Sequence, residues 1–406
     1  MRAIAALLLL LAGAAHAEDA TITKRVLFKT GNNDSLYPVL TVPYDGPAPK
    51  RPLRAVDTAT IREFPATVHD GKLTFVPEGG LKNSEHIYKF SEFGAGDGYQ
   101  PVVNIKPGKE DDVLEVYILD QLFTAYHFPK DGKKPFLWPL NSAGGISLTR
   151  DFPMDPNNTP KDHPHHRSCW TSFGDLNGVD CWTEAEESGF QQSGEVTSGS
   201  GDAFGWIKAK NVWQDKDRKP VIDEEREYRF YATPDTARMF DVTVTFTAAY
   251  GDVNFGDTKE GGLISVRMRQ ELCGSNAIIT NALGDVGEPT LWGKPAAWCD
   301  FSGKLGEHGN RGVTIFDTPT NLRYPTSWHV RAYGLMGANA FGWSAFAEKE
   351  YNKGLFAAPR GDFKIKNGEK LTMTYRVYVH TGDVKEANVA DRFADYTAAP
   401  QLSWID

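Results

Sequence analysis

The chain has 406 residues, 40% of them hydrophobic and 12% aromatic, enough for a sizeable core. Its formal net charge of −9 argues against a nucleic-acid partner. Nothing after the first residues approaches 18 consecutive apolar positions, so no membrane-spanning helix is expected.

The N-terminus reads as a leader. Met1-Arg2 is cationic, Ile4 to Leu11 is apolar, and Ala15-His16-Ala17 is a small-residue cleavage site. Residues 1–17 are therefore read as a signal peptide, and a periplasmic or secreted protein is expected. No Cys follows the apolar run closely, which argues against a lipid anchor.

Residues 18–100 read as an N-terminal β segment. Asp45-Gly46-Pro47-Ala48-Pro49 and Pro77-Glu78-Gly79-Gly80 are turn chemistry, and Lys72 to Val76 is a strand candidate between them. Residues 101–406 form the main domain. Val113 to Ile118, Asp223 to Tyr231, Asp241 to Thr247, Leu263 to Leu272, Gly312 to Phe316 and Leu371 to Val379 read as strands. In Asp241 to Thr247, Val242, Val244 and Phe246 alternate with three threonines, the pattern of a half-buried strand. Only Val384 to Tyr396 has near-helical spacing. The fold expected is all-β: a large antiparallel β-sandwich with one short C-terminal helix.

The chemistry concentrates at Asp162-His163-Pro164-His165-His166-Arg167. Pro164 makes this a loop or strand edge. If it is extended, His163 and His165 share one face and His166 points away. Imidazoles beside a guanidinium suit proton transfer on an oxygen-rich substrate. Trp328-His329-Val330-Arg331 repeats the pairing of His with Arg, and the two groups are expected to converge on one pocket. Glu260 and Asp300 are candidate partner acids or bases. Lys294, Trp298 and Trp182 offer a cation and aromatic platforms for sugar rings, and Asn339 offers an amide. Each of these has a structural alternative, because single histidines and tryptophans are common packing residues.

Zinc competes as a reading of the histidines, but adjacent His165 and His166 aim poorly at one ion. No metal site and no cofactor is expected. Phosphate-cradle, nucleophile-elbow and zincin motifs are absent. Cys169 and Cys181 flank the central motif and are expected to lie close enough to bridge, with Cα atoms within about 7 Å. Four cysteines allow three pairings, and four separate thiols remain open.

Asp162 to Arg167, together with Gly174-Asp175-x-Asn177-Gly178-x-Asp180-x-Trp182, resembles the soluble PmoA-like family, often labelled "methane oxygenase PmoA". Leu148-Thr149-Arg150, Glu260-Gly261-Gly262-Leu263, Trp298-Cys299-Asp300, Gly312 to Asp317, Trp328 to Arg331, Asn339-x-Phe341-Gly342 and Tyr375-Arg376-Val377 extend the resemblance over roughly residues 100 to 400. Ser168, Cys169 and Cys181 depart from its pattern, which favours a Cys169–Cys181 bridge. The resemblance implies a supersandwich similar to galactose mutarotase, with sites on a concave sheet face. It does not support methane oxidation, because the particulate methane monooxygenase subunit is a bundle of membrane helices. The function expected is an exported carbohydrate-active enzyme of epimerase, lyase or glycosidase type. The alternatives are a non-catalytic glycan-binding protein and a metal-dependent oxygenase.

Overall fold

The structure is a computed structural model. It describes residues 22, 24–31, 35, 37–79, 81–94, 96, 98–347, 358–398 and 400–406. The expected leader, residues 1–17, lies outside the described residues.

The fold is antiparallel β throughout its named strands. Two large sheets face one another across the main core. The first runs Ser327–Arg331, Leu335–Asn339, Gly261–Arg267, Cys169–Phe173, Phe136–Ser142, Gln121–His127, Val113–Ile118 and Val103–Pro107, with Ile146–Ser147 added beside Phe136–Ser142. The second runs Phe190–Gly199, Phe204–Gln214, Pro220–Tyr231, Ala237–Thr247, Lys370–Thr381, Asn310–Phe316, Trp298–Lys304 and Ala277–Asn281. Leu137, Ile264, Val266, Trp328 and Met336 of the first sheet share one core with Tyr228, Phe230, Val242, Val244 and Ile315 of the second. Period-two alternation directs those side chains inward, as in a sandwich. This is the large antiparallel sandwich expected.

A third sheet of seven strands has its own core around Val26, Leu53, Phe75 and Tyr88. Six of its strands lie between Arg25 and Glu92. The seventh, Gln401–Ile405, comes from the far end of the chain and pairs with Arg25–Lys29, Val26 opposite Trp404.

Three short α-helices occur among the described residues where one was expected: Glu288–Leu291, Trp343–Ala347 and Val389–Thr397. The first two span about one turn, too short for periodicity to show. The third starts later than Val384 because Asp383 accepts hydrogen bonds from Lys385 N and Glu386 N, both 2.9 Å, and forms a turn first. Among the described residues no helix is long and apolar enough to cross a membrane.

Candidate active site

The first sheet has a face turned away from the main core, and strand register lines up its side chains. Phe136 lies opposite Trp170, Trp170 opposite Ser265, Ser265 opposite Gly337, and Gly337 opposite His329. In the next row Leu335 stands between Arg267 and Arg331. Ser265 and Gly337 are small, so the face is low between Trp170 and His329. Trp182 occupies that depression. A Cβ on Gly262 would meet its Cζ3 at 3.3 Å.

The histidine loop folds over one end of this face. Its backbone is not extended. His166 N donates to His163 O at 3.0 Å, closing a turn around Pro164 and His165, and His163 has φ +42°. The expected alternation of faces therefore fails. The turn instead stacks His163 on His166, centroids 4.8 Å apart and planes 8° apart. His166 does point inward and is 1% exposed.

Asp162 organises this end. Its carboxylate takes Arg267 Nη2 at 3.0 Å on both oxygens, Arg150 Nη1, and His163 Nδ1 at 2.9 Å. Burial raises the carboxyl's pKa, but the hydrogen bonds from Arg267 and His163 outweigh that and hold it at about 2. An ionised carboxylate only accepts, so His163 carries its hydrogen on Nδ1, and in the neutral ring Nε2 is the basic nitrogen. His163 is 39% exposed. The same logic assigns His166: Arg267 Nη1 can only donate to its Nδ1, at 3.0 Å, so the hydrogen is on Nε2. Burial, followed by the charges of His165 and Arg267, holds His166 well below the usual imidazole range.

His165 is half-buried, and its pKa is lowered to about 4 by burial and then by Lys134. Lys134 is fully buried; its ammonium donates to Trp182 O and lies 3.7 Å from Glu184. Burial lowers it to about 8. Arg167 grips Glu184 through Nε at 2.7 and 2.9 Å. Arg167 is thus held by a carboxylate rather than left free for substrate.

His329 sits on the same face, 3% exposed, between Trp182 at 6.0 Å and Trp292 at 5.1 Å. His166 and His165 lie 5.9 and 6.4 Å from that same Trp182 ring. The two His–Arg groups therefore converge, with Trp182 as the shared neighbour. Arg331 is bound to Glu288 at 2.6 Å and covers Trp292 at 4.0 Å. Tyr333, in the turn after Arg331, stacks on His163 at 5.0 Å and lies under Arg267 at 4.4 Å.

The remaining candidates divide. Glu260 borders the site: Gly174 N donates to its carbonyl at 2.7 Å, and its carboxylate pairs with Lys259. Lys294 is half-buried in the turn after Glu288–Leu291, where Gly293 N donates to Trp328 O at 2.9 Å. Asn339 is buried with both ends of its amide engaged. It donates to Thr258 O at 2.8 Å and accepts from Phe341 N at 2.9 Å, so it ties a turn rather than facing a ligand.

Asp300 does not join the site. Its strand belongs to the second sheet, where it is buried and accepts from His380 Nε2 at 2.8 Å and Thr314 Oγ1 at 2.7 Å. Its chain neighbours Cys299 and Phe301 face the main core, so Asp300 faces away from it. Trp298 shares that outer face and packs beneath the C-terminal helix with Phe316 and Phe393.

The cysteine expectation fails as well. Cys181 N donates to Phe173 O at 2.9 Å, four residues along the strand from Cys169. At strand rise that separates the two by about 13 Å, beyond disulfide reach. All four cysteines are buried free thiols. Burial pushes Cys273 up to about 11 and Cys181 to about 12. Among the described residues no group of three or more His, Cys, Asp or Glu is placed to hold a metal ion.

A model described as "Family of unknown function (DUF6807)" matches residues 113–394, more than half of the chain. The chain belongs to this family. The match spans Asp162, the histidine loop and His329, and it carries no PmoA label. No curated protein matches. Among solved structures, a glycosyl hydrolase family 38 protein from Enterococcus faecalis is similar at 11% identity and TM-score 0.39 over 94% of this chain and 47% of that one. An alpha-mannosidase from Enterococcus faecalis is similar at 10% and 0.40, over 94% and 46%. The chain spans about half the length of both, and likeness at that level carries no argument about activity.

Sequence reading passed over several members of the site. Arg150 appeared only within the family resemblance, and Arg267 only as part of the strand Leu263 to Leu272. Asp162 appeared only as the first residue of the histidine motif, with no role of its own. Lys134 and Glu184 gave no signal, because a lysine in Gly-Lys-Lys-Pro and a glutamate in an acidic loop look like surface residues.

Proposed function

We propose that this protein is an exported carbohydrate-active enzyme in which His163 moves a proton on a sugar or oligosaccharide. The observation that carries the reading is the Asp162–His163 pair. Two arginines, each 1% exposed, hold the carboxylate, the carboxylate fixes the imidazole's hydrogen on Nδ1, and the ring is more than a third exposed. An oriented imidazole with a free basic nitrogen is what general acid–base catalysis requires. The ring of Tyr333 stacks on it and the partly exposed His165 lies 5.8 Å away, groups that suit C–H faces and hydroxyls, whereas Trp182, 1% exposed, is a packing residue and not the sugar platform expected. His166, His329 and Asn339 act in this reading as supports. Export is part of the proposal, with a mature chain beginning at Glu18, which intact-mass measurement checks.

The test is a screen of the mature protein against reducing hexoses, hexuronates and their oligomers, read by mass spectrometry and by NMR of the anomeric protons. His163→Ala is expected to lower turnover by about 100-fold or more with little change in melting temperature. Binding without turnover by the wild type, or full turnover by the variant, would replace this reading with a non-catalytic glycan-binding role.

A further inference from the structure

We infer that Tyr333 is the second proton-transfer group of this site, and that it works beside His163 on neighbouring atoms of one sugar ring. The inference rests on the proton-transfer reading of His163. The two rings stand on one wall, centroids 5.0 Å apart and planes 18° apart. Tyr333 is held there independently of His163. The tight turn between Ser327–Arg331 and Leu335–Asn339 fixes its backbone, with Gly334 N donating to Arg331 O at 2.9 Å. Arg267 lies over its ring at 4.4 Å, so a cation stands ready to stabilise a phenolate as it forms. Burial meanwhile raises the phenol's pKa, opposed by Arg267 and Arg331, so the group stays protonated at neutral pH.

An acid and a base on one wall serve two adjacent atoms from the same side. That arrangement suits ring opening or elimination, in which no water is consumed. His163 Nε2 takes the proton from an O–H or C–H. The released pair forms the new double bond, and the adjacent C–O bond breaks with its pair staying on oxygen. Tyr333 protonates that oxygen. Proton exchange with solvent then returns His163 to neutral imidazole and Tyr333 to phenol, which closes the balance. The reaction class is isomerase or lyase rather than hydrolase.

The experiment uses the full mature protein. Freshly dissolved α-D-glucose and α-D-galactose, followed by polarimetry, report ring opening. Polygalacturonate, followed by ultraviolet absorbance of an unsaturated product, reports elimination. Tyr333→Phe keeps the ring and its stacking and removes only the hydroxyl. It is expected to lower kcat about 100-fold, change KM less than threefold, and lose the alkaline limb of the pH profile. A merely structural ring would leave all three unchanged. If His163→Gln is inactive but Tyr333→Phe keeps kcat and its pH profile, the Tyr333 assignment falls alone. If none of the probes is turned over, or His163→Gln keeps full activity, the reading of His163 fails and this inference fails with it.

Discussion

Replacing Asp162 by Ala should destabilise the protein by roughly 3 kcal/mol, near the lower end of what breaking a buried ion pair costs. The magnitude follows from what the carboxylate neutralises. Arg150 and Arg267 are each 1% exposed, and Asp162 is bonded to both. Without it, two guanidiniums remain buried side by side. Two features keep the loss at the lower end. Arg150 retains His163 O at 2.8 Å as a partner, and Arg267 retains His166 Nδ1. Asp162 is itself 36% exposed, so water enters where it stood. Asp162→Asn keeps an acceptor oxygen and removes only the charge, and should cost about 1–2 kcal/mol. Urea unfolding followed by tryptophan fluorescence measures both, and Trp170 and Trp182 lie close enough to report. With m unchanged, an Ala variant within about 0.5 kcal/mol of wild type would refute the claim that this carboxylate holds the cationic cluster together.

Three further outcomes are expected. His165 titrates at about 4 in the folded chain against 6.5 ordinarily. Between those values the unfolded chain binds the additional proton, so the stability from the neutral ring is complete above pH 6.5 and is lost as pH falls through 4. The loss is at most about 3 kcal/mol before solvent screening, and His165→Gln should flatten that part of a melting-temperature profile. Lys134→Met removes the charge that, after burial, lowers His165 most, so the His165 ring should titrate higher in an NMR titration; an unchanged midpoint would show that burial alone sets it. Gly174→Ala places a methyl 2.8 Å from Glu260 O and 2.9 Å from its Cβ. It should cost about 1–3 kcal/mol by overpacking and shift the emission of the adjacent Trp182; a Tm and spectrum like wild type would show that the loop yields freely.

Alternation alone made the sandwich legible. Val113–Ile118 is the strand expected, and the expected alternation of Val242, Val244 and Phe246 with threonines is the one observed, with all three buried. His329 and Arg331 also fall on one face of one strand. These features are local, set by a two-residue period and by turn residues, so no partner need be known. The short helices and the Asp383 turn were not legible, because one turn of chain carries no period.

What the site contains was largely legible, and how it is arranged was not. The sequence determined that imidazoles, guanidiniums and carboxylates are concentrated around residue 163 and again around residue 329. Only the tertiary structure decided which of them meet. Strand register puts Arg267 in line with Arg331 and leaves a depression for Trp182, and register depends on pairing between segments far apart in the chain, as Cys169 opposite Val266. Sheet membership removes Asp300 and Trp298 to an opposite surface, although their residue types resemble the rest. The turn at Pro164 makes His163 and His166 neighbours where an extended chain would part them. Lys134 and Glu184 become buried partners only because the loop of Trp182 folds over Lys134. A charged side chain declares itself in the sequence, but its burial and its partner are properties of the assembled sheets.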